Sequence, residues 1–423
     1  MELMFKTGEI IKEILQDRKN YFELVTKTEK QENWEPKVKG QIIQLIGSFL
    51  RNFYFIKHIE KFVFDTKDIN VVIQVGLYFV NNAYANVISK AEADAHLNEY
   101  LKSIKKDISE NQRRVLNDIC NQKKQYMFLD LKRGSTAYFS VKYNLPSWFI
   151  LMMIKHYGKD VGIKTCREIS RMPKQYAILN SFKLLNGDVK TLIDKEFTLV
   201  KDNLYLYNNK VSLRKNPLIK DKTLFQIQIG YLKLIQELED LKHSNVSIYL
   251  GNKNNVYFPL LSKFATEGNH ISIITKHLYE NYDLLTKIKE YKIKNTHFYE
   301  GNEDGLDPFL SKKQDLFLYF PNSSEFENLR IEPDYSIFFE QNSLDIFIKE
   351  ELACLENVIK HLNDKATLVY CVRTLGKKET SLLIEEFLKA HPEFELVKEK
   401  QFFPYEEENS ILYYAILRKK AND

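Results

Sequence analysis

The chain has 423 residues, 44% of them hydrophobic and 28% charged, a composition that excludes a disordered protein and leaves room for roughly two to four domains. No apolar run approaches the ~18 residues of a membrane-spanning helix, and charges interrupt the opening MELMFKTGEIIKEILQDRKN where a secretory signal would be apolar. A cytoplasmic protein with no membrane partner is therefore expected, and a formal net charge of +5 allows RNA binding without requiring it.

Residues 1 to about 130 read as helices. Apolar residues recur at helical spacing through Ile42, Ile43, Leu45, Ile46 and Phe49, then Val71 to Tyr78, then Leu97 to Ile104, with no alternating run between them. Gly134-Ser135 marks a linker. From Pro146 two helices are expected, near 147–158 and 160–170, followed by short alternating runs at Tyr176–Phe182, Phe197–Val200 and Leu204–Tyr207. From about 223 strands alternate with helices. Strands are expected at Val246–Leu250, Ile271–Ile274, His297–Tyr299, Leu316–Phe320, Thr367–Cys371, Phe394–Lys398 and Ser410–Arg418. The helices are expected near 223–240, 255–265, 278–290, 346–362 and 378–390. This alternation predicts a mostly parallel sheet covered on both faces, closed by an antiparallel edge pair.

The four cysteines, Cys120, Cys166, Cys354 and Cys371, form no C-x-x-C pair, so neither a zinc site nor a disulfide framework is expected. Each reads as a small buried hydrophobe, and no metal is expected.

Several ordered segments resemble one family. Val72-Ile73-Gln74-Val75-Gly76-Leu77-Tyr78 is similar to the L-R-x-G-x-Y helix of NusB-like RNA-binding bundles, with Gln74 in the Arg position, and Arg113 to Asn117 resembles a later segment of the same bundle. Leu145-Pro146-Ser147-Trp148-Phe149, then His156-Tyr157-Gly158, resembles P-x-W-L followed by Y-G. Asn180 falls at the end of an R-V-N strand, with Ile178 in place of the Arg. Phe225-Gln226-Ile227-Gln228 resembles a V-Q-D entry helix, Pro333-Asp334 a P-D-x-x-W segment, Leu368-Val369-Tyr370 the start of L-V-Y-S-T-C, His391-Pro392-Glu393-Phe394 the h-P-x-F segment, and Leu412 to Lys419 the closing strand. Together they resemble the rRNA cytosine-C5 methyltransferases of the RsmB/Fmu (Sun/Nop) type. The resemblance implies three parts: a NusB-like all-helical RNA-binding domain (1–135), a small α+β linker subdomain (141–222) and an α/β Rossmann-like class I methyltransferase domain (223–423).

The chemistry is where the sequence departs. Methylating carbon-5 of cytosine needs a thiolate that adds to carbon-6. The family draws that thiolate from its T-C motif and uses the cysteine of P-C-S for product release. Here the two positions are Arg373 and Asn322. Arg373 stays protonated and cannot attack. Cys371 shares a strand face with position 373 and is the one candidate for a displaced nucleophile, but it lies about 6–7 Å away along the strand against a catalytic tolerance of ~1 Å, and packing is its main reading. Tyr319 replaces the Asp before P-C-S. The glycine-rich loop that cradles S-adenosylmethionine reads Gly251-Asn252-Lys253-Asn254-Asn255, and the strand whose final acid holds the ribose ends at Ile274-Thr275. Glu300 and Asp304 are the acids available for the adenine side.

The reading is an RNA-binding pseudoenzyme with no cofactor expected, acting on small-subunit rRNA, its precursor or ribosome assembly. An active cytosine-C5 methyltransferase with an altered site, using S-adenosylmethionine, is one alternative. A module recruiting transcription or ribosome-assembly proteins is the other. Candidate RNA contacts are Lys123, Lys124, Lys132, Arg133, Arg167, Arg171, Lys174, Arg214, Lys215 and Arg373, with Tyr126 and Tyr138 for stacking.

Overall fold

The computed structural model describes residues 2–64, 68–123, 127–128, 130–183, 187–209, 213–238, 244–251, 257–266, 268–276, 282–301, 305–306, 308–310 and 312–421. The chain divides into two compact units, Met1–Arg171 with Asn328–Phe339, and Met172–Glu327 with Glu340–Asp423.

The first unit is helical. Its centre is the helix Ile69–Val80, buried at every position from Val71 to Val80, so its apolar residues run all round rather than along one stripe. Gly76 makes that position possible. A Cβ there would run into the Phe49 ring and stand 2.7 Å from Ile56, so the helices Pro36–Leu50 and Phe53–Val63 cross it closely only because residue 76 has no side chain. Gln74 is 7% exposed and its Oε1 lies 2.8 Å from His96 Nε2, a core polar pair rather than a surface contact. The Tyr78 hydroxyl sits 2.8 Å from Asp94 and 2.9 Å from Asn117, so the two bundle segments singled out in the sequence meet. Ser89 and Ser109 close capping boxes with Glu92 and Gln112.

Two features of this unit depart from the expected division. The helices Ser147–Tyr157 and Lys159–Ile169 belong to it and not to a subdomain starting at 141. Gly162 brings them together, since a Cβ would lie 2.8 Å from the Met153 backbone. The segment Asn328–Phe339, from the α/β half of the sequence, also belongs here. Asp334 accepts a hydrogen bond from the Tyr21 amide (3.0 Å), and the Tyr54 hydroxyl donates to the Ser336 carbonyl (2.8 Å). Ile337 and Phe338 pack on the bundle core, and the Phe339 ring lies 5.9 Å from Trp148.

The second unit holds two sheets. Strands β1 (Tyr176–Leu179), β2 (Phe197–Lys201), β3 (Leu204–Tyr207) and β4 (Leu224–Ile227) form an antiparallel sheet in the order β2-β3-β1-β4. β4 falls where the V-Q-D resemblance predicts the start of a helix. Leu224-Phe225-Gln226-Ile227 pairs with β1 instead, and the helix begins only at Ile229.

The larger sheet contains β5 (Asn245–Leu250), β6 (His270–Thr275), β7 (Thr296–Glu300), β8 (Gln314–Phe320), β9 (Leu362–Val372), β10 (Phe394–Phe402) and β11 (Leu412–Lys419), in the order β10-β11-β9-β8-β5-β6-β7. All seven expected strands form. β5 to β9 run parallel and β11 lies antiparallel between β9 and β10. Val246, Ile248 and Leu250 face one core and Tyr249 the other, so β5 is buried on both faces, as its unbroken apolar run requires. Tyr249, Tyr319 and Tyr370 stand in register on the second face with ring centroids 5.6 and 5.9 Å apart, and all are fully buried. The strand order reverses at β5, between β6 and β8. Ligands of open α/β sheets bind in the crevice beyond the carboxyl ends of the strands at such a point.

The four cysteines are buried. Among the described residues no cluster of His, Cys, Asp and Glu is arranged to hold a metal, and no helix is long and apolar enough to cross a membrane.

Candidate functional site

At the switch point the carboxyl ends of β5, β8 and β9 lie side by side. After β8 the chain reads Pro321-Asn322-Ser323-Ser324-Glu325, and after β9 it reads Arg373-Thr374. These segments hold Asn322 and Arg373, the two residues that the sequence reading aligns with the cysteines of the resembled family.

Arg373 is engaged. Its guanidinium forms an ion pair with Glu325, their side chains 20% and 10% exposed, and Ser323 Oγ donates to the other Glu325 oxygen at 3.0 Å. Burial works against the charge, but Glu325, and after it Tyr231 and Glu327, more than offset that penalty and raise the guanidinium pKa above its ordinary value. A phosphate contact by Arg373 would have to displace this carboxylate, so the structure gives no support to its place among the RNA contacts. Cys371 faces the core beside the pair. Burial pushes its thiol pKa well up, and the Glu325 charge adds to the shift, which is the reverse of what a nucleophile needs. The cavity between Tyr231, Pro321, Cys371 and Arg373 is ≈ 10 Å³, space for a water and not for a pyrimidine.

Behind the ion pair the two loops are joined a second time. Glu379, fully buried, accepts from the Ser324 amide (2.7 Å), the Ser324 hydroxyl (2.6 Å) and Thr374 Oγ1 (3.2 Å). Burial raises its pKa from 4.5 to about 7, with Glu325 adding to the rise and the Ser324 and Thr374 hydrogen bonds opposing it. An acid whose pKa is higher in the folded state binds more protons there, so its effect on stability falls as pH rises from about 4.5 to about 7 and is then constant. Replacing Glu379 with Gln is expected to flatten the decline in stability over that window, measured by urea unfolding at stepped pH. An unchanged slope would assign the titration to another group.

Gly251, Ile274, Thr275 and Glu300 are the described residues among the positions that the resemblance assigns to S-adenosylmethionine. Gly251 is occupied structurally: a Cβ there would stand 2.5 Å from the Asn322 amide nitrogen and 2.8 Å from the Pro321 carbonyl carbon. Ile274 is fully buried in the tyrosine-lined core and Thr275 is 2% exposed, so neither can accept from ribose hydroxyls. Glu300 ends β7 as an exposed acid beside Thr275. Asn252, Lys253, Asn254, Asn255 and Asp304 lie outside the described residues.

The surface cations are spread over both units. Lys123 pairs with Asp118 (2.7 Å), and Arg167 and Arg171 both pair with Glu168 (3.0 and 2.9 Å). Lys132 and Arg133 are exposed on the first unit, and Lys174, Arg214 and Lys215 on the second. Tyr138 is packed against Phe128 at 4.9 Å with Lys142 over its ring. Lys124 and Tyr126 lie outside the described residues. Glu325 and Glu379 were not singled out in the sequence. The available signal was an acid placed three residues after Asn322 together with an Arg in a thiol's position.

Sequence comparison matches no protein-family model and no curated protein. Solved structures do resemble the chain. PH0851 is similar over 97% of this chain and 97% of its own length, with a TM-score of 0.71 and 12% identity. A methyltransferase homolog protein from Pyrococcus horikoshii is similar over 68% of this chain and all of its own, with a TM-score of 0.55 and 12% identity. NSun6 from Pyrococcus horikoshii, solved with SFG, is similar over 66% and 99%, with the same TM-score and identity. At such identities the likeness establishes the fold: a helical region followed by a class I methyltransferase, Rossmann-like domain.

Proposed function

We propose that this protein binds RNA through a methyltransferase scaffold and transfers no methyl group. The observation that carries the reading is the largely buried Arg373–Glu325 ion pair, at the position that the resemblance assigns to the thiolate, with a cavity of ≈ 10 Å³ beside it. An arginine cannot add to carbon-6, and the acid that holds it would have to be stripped away before a base could enter. The RNA reading rests on the ordered resemblance to the RsmB/Fmu type, with a NusB-like first domain, and on the exposed Lys132, Arg133, Lys174, Arg214 and Lys215. Small-subunit rRNA or its precursor is the proposed partner, and no cofactor is required.

Two measurements test it. Titration calorimetry with S-adenosylmethionine is expected to show no binding in the micromolar range, and either such binding or methyl transfer to rRNA would favour an active enzyme. Binding to a small-subunit rRNA fragment is expected to weaken steeply with salt, since each neutralised phosphate contributes about −0.9 to the log–log slope on duplex and about −0.7 on single strands. A flat response, with no rRNA enriched on crosslinking in cells, would favour a protein partner.

A further inference from the structure

We infer that the cavity between the small sheet and the helix Ile229–Glu237 receives an unstacked base of single-stranded RNA. This rests on the RNA-binding reading above and gives it a subsite. The cavity is ≈ 550 Å³, within the range of roughly 300–1,000 Å³ in which small-ligand sites fall. It is bounded by the end of β1, the turn between β2 and β3, Phe225 of β4, and the helix residues Ile229, Leu232 and Ile235. Ile178, standing where the resembled family has Arg, makes the floor apolar.

Asn180, the motif residue that the candidate site leaves unexplained, builds one wall. It is 2% exposed, and its amide donates to the Lys222 carbonyl (2.8 Å) and the Tyr291 hydroxyl (2.9 Å) while its oxygen accepts from the Phe182 amide (3.0 Å). Phe182 lies parallel to Tyr291, with centroids 5.6 Å apart and planes at 11°. A buried amide thus fixes both the backbone of one ring and the hydroxyl of the other. The outcome is a rigid aromatic shelf on a cavity that Phe182 lines. At the rim the exposed Lys201 and Lys233 stand with the acids Asp202, Glu407 and Glu408, of which Glu408 is paired with Lys400 at 3.6 Å.

A neutral flat ring matches the apolar floor and the aromatic shelf, and Lys201 and Lys233 are the rim groups for its phosphate in a mouth that also carries Asp202, Glu407 and Glu408. Stacking on aromatic side chains is how single-stranded RNA is held without reading its sequence. Because the shelf is set in advance, binding would not have to order it.

The test is the affinity of the full-length protein for a mixed-sequence single-stranded RNA of about 12 nucleotides, with 4-thiouridine in a parallel sample for crosslinking. Phe182→Ala is expected to weaken binding about tenfold and Phe182→Trp to restore it. Crosslinks are expected within residues 178–182 or 225–236. Unchanged affinity in Phe182→Ala, or equal loss in both variants, overturns the subsite while RNA binding by the unaltered protein stands. Failure of the unaltered protein to bind RNA overturns this inference and the proposed function together.

Discussion

Replacing Arg373 with methionine is expected to destabilise the protein by about 3–5 kcal/mol, the cost of leaving a buried carboxylate without its partner. The side chains of Arg373 and Glu325 are 20% and 10% exposed, so neither charge is well hydrated once the other is gone. Glu325→Leu should cost a comparable amount from the other side, since it leaves the guanidinium without its partner. The double variant Arg373→Met with Glu325→Leu should recover most of the loss, because two apolar side chains need no desolvation and the Sγ of Cys371 is already an apolar neighbour. Urea unfolding of the four proteins gives the coupling directly. If Arg373→Met is as stable as the unaltered protein, the pair does not hold the two loops and the site is open to other chemistry. On the proposed reading Arg373→Cys remains without methyl transfer, since Asn322 supplies no second thiol and the buried Ile274 no acid for the ribose.

Gly251→Ala carries the second large effect. The new methyl would meet two backbone atoms, the Asn322 nitrogen at 2.5 Å and the Pro321 carbon at 2.8 Å, neither of which belongs to a side chain that can rotate away. Overpacking of this kind costs about 1–3 kcal/mol. The Gly251 amide also donates to the Phe320 carbonyl at 2.8 Å, so relief by moving residue 251 would sacrifice a hydrogen bond of the sheet end. Adding Asn322→Ala should not rescue the variant, because the clash is with backbone. A stable Gly251→Ala protein would instead mean that the glycine was kept for a ligand. Gly251 therefore reads as a packing requirement of the β5 and β8 ends.

Much of the architecture was legible in the residues. Helical spacing through Val71 to Tyr78 and the continuous apolar run of β5 reflect local periodicity and burial, which depend on each segment's own side chains. That positions 322 and 373 carry an amide and a guanidinium is likewise read directly, because residue type at a position sets which chemistry it can perform. Leu224 to Ile227 misled, because four apolar-rich residues before a helix read equally as its first turn, and only pairing with β1 makes them a strand.

The residues alone therefore carried the fold class and the order of the seven strands of the larger sheet along the chain. They left undecided that Arg373 is closed off by Glu325, that Asn180 builds an aromatic shelf with Tyr291, 111 positions away, and that Asn328–Phe339 packs with the helical bundle. Each of these is a pairing between groups far apart in sequence. Such a pairing is selected by the shape and charge of surfaces that exist only once the sheet and bundle have formed.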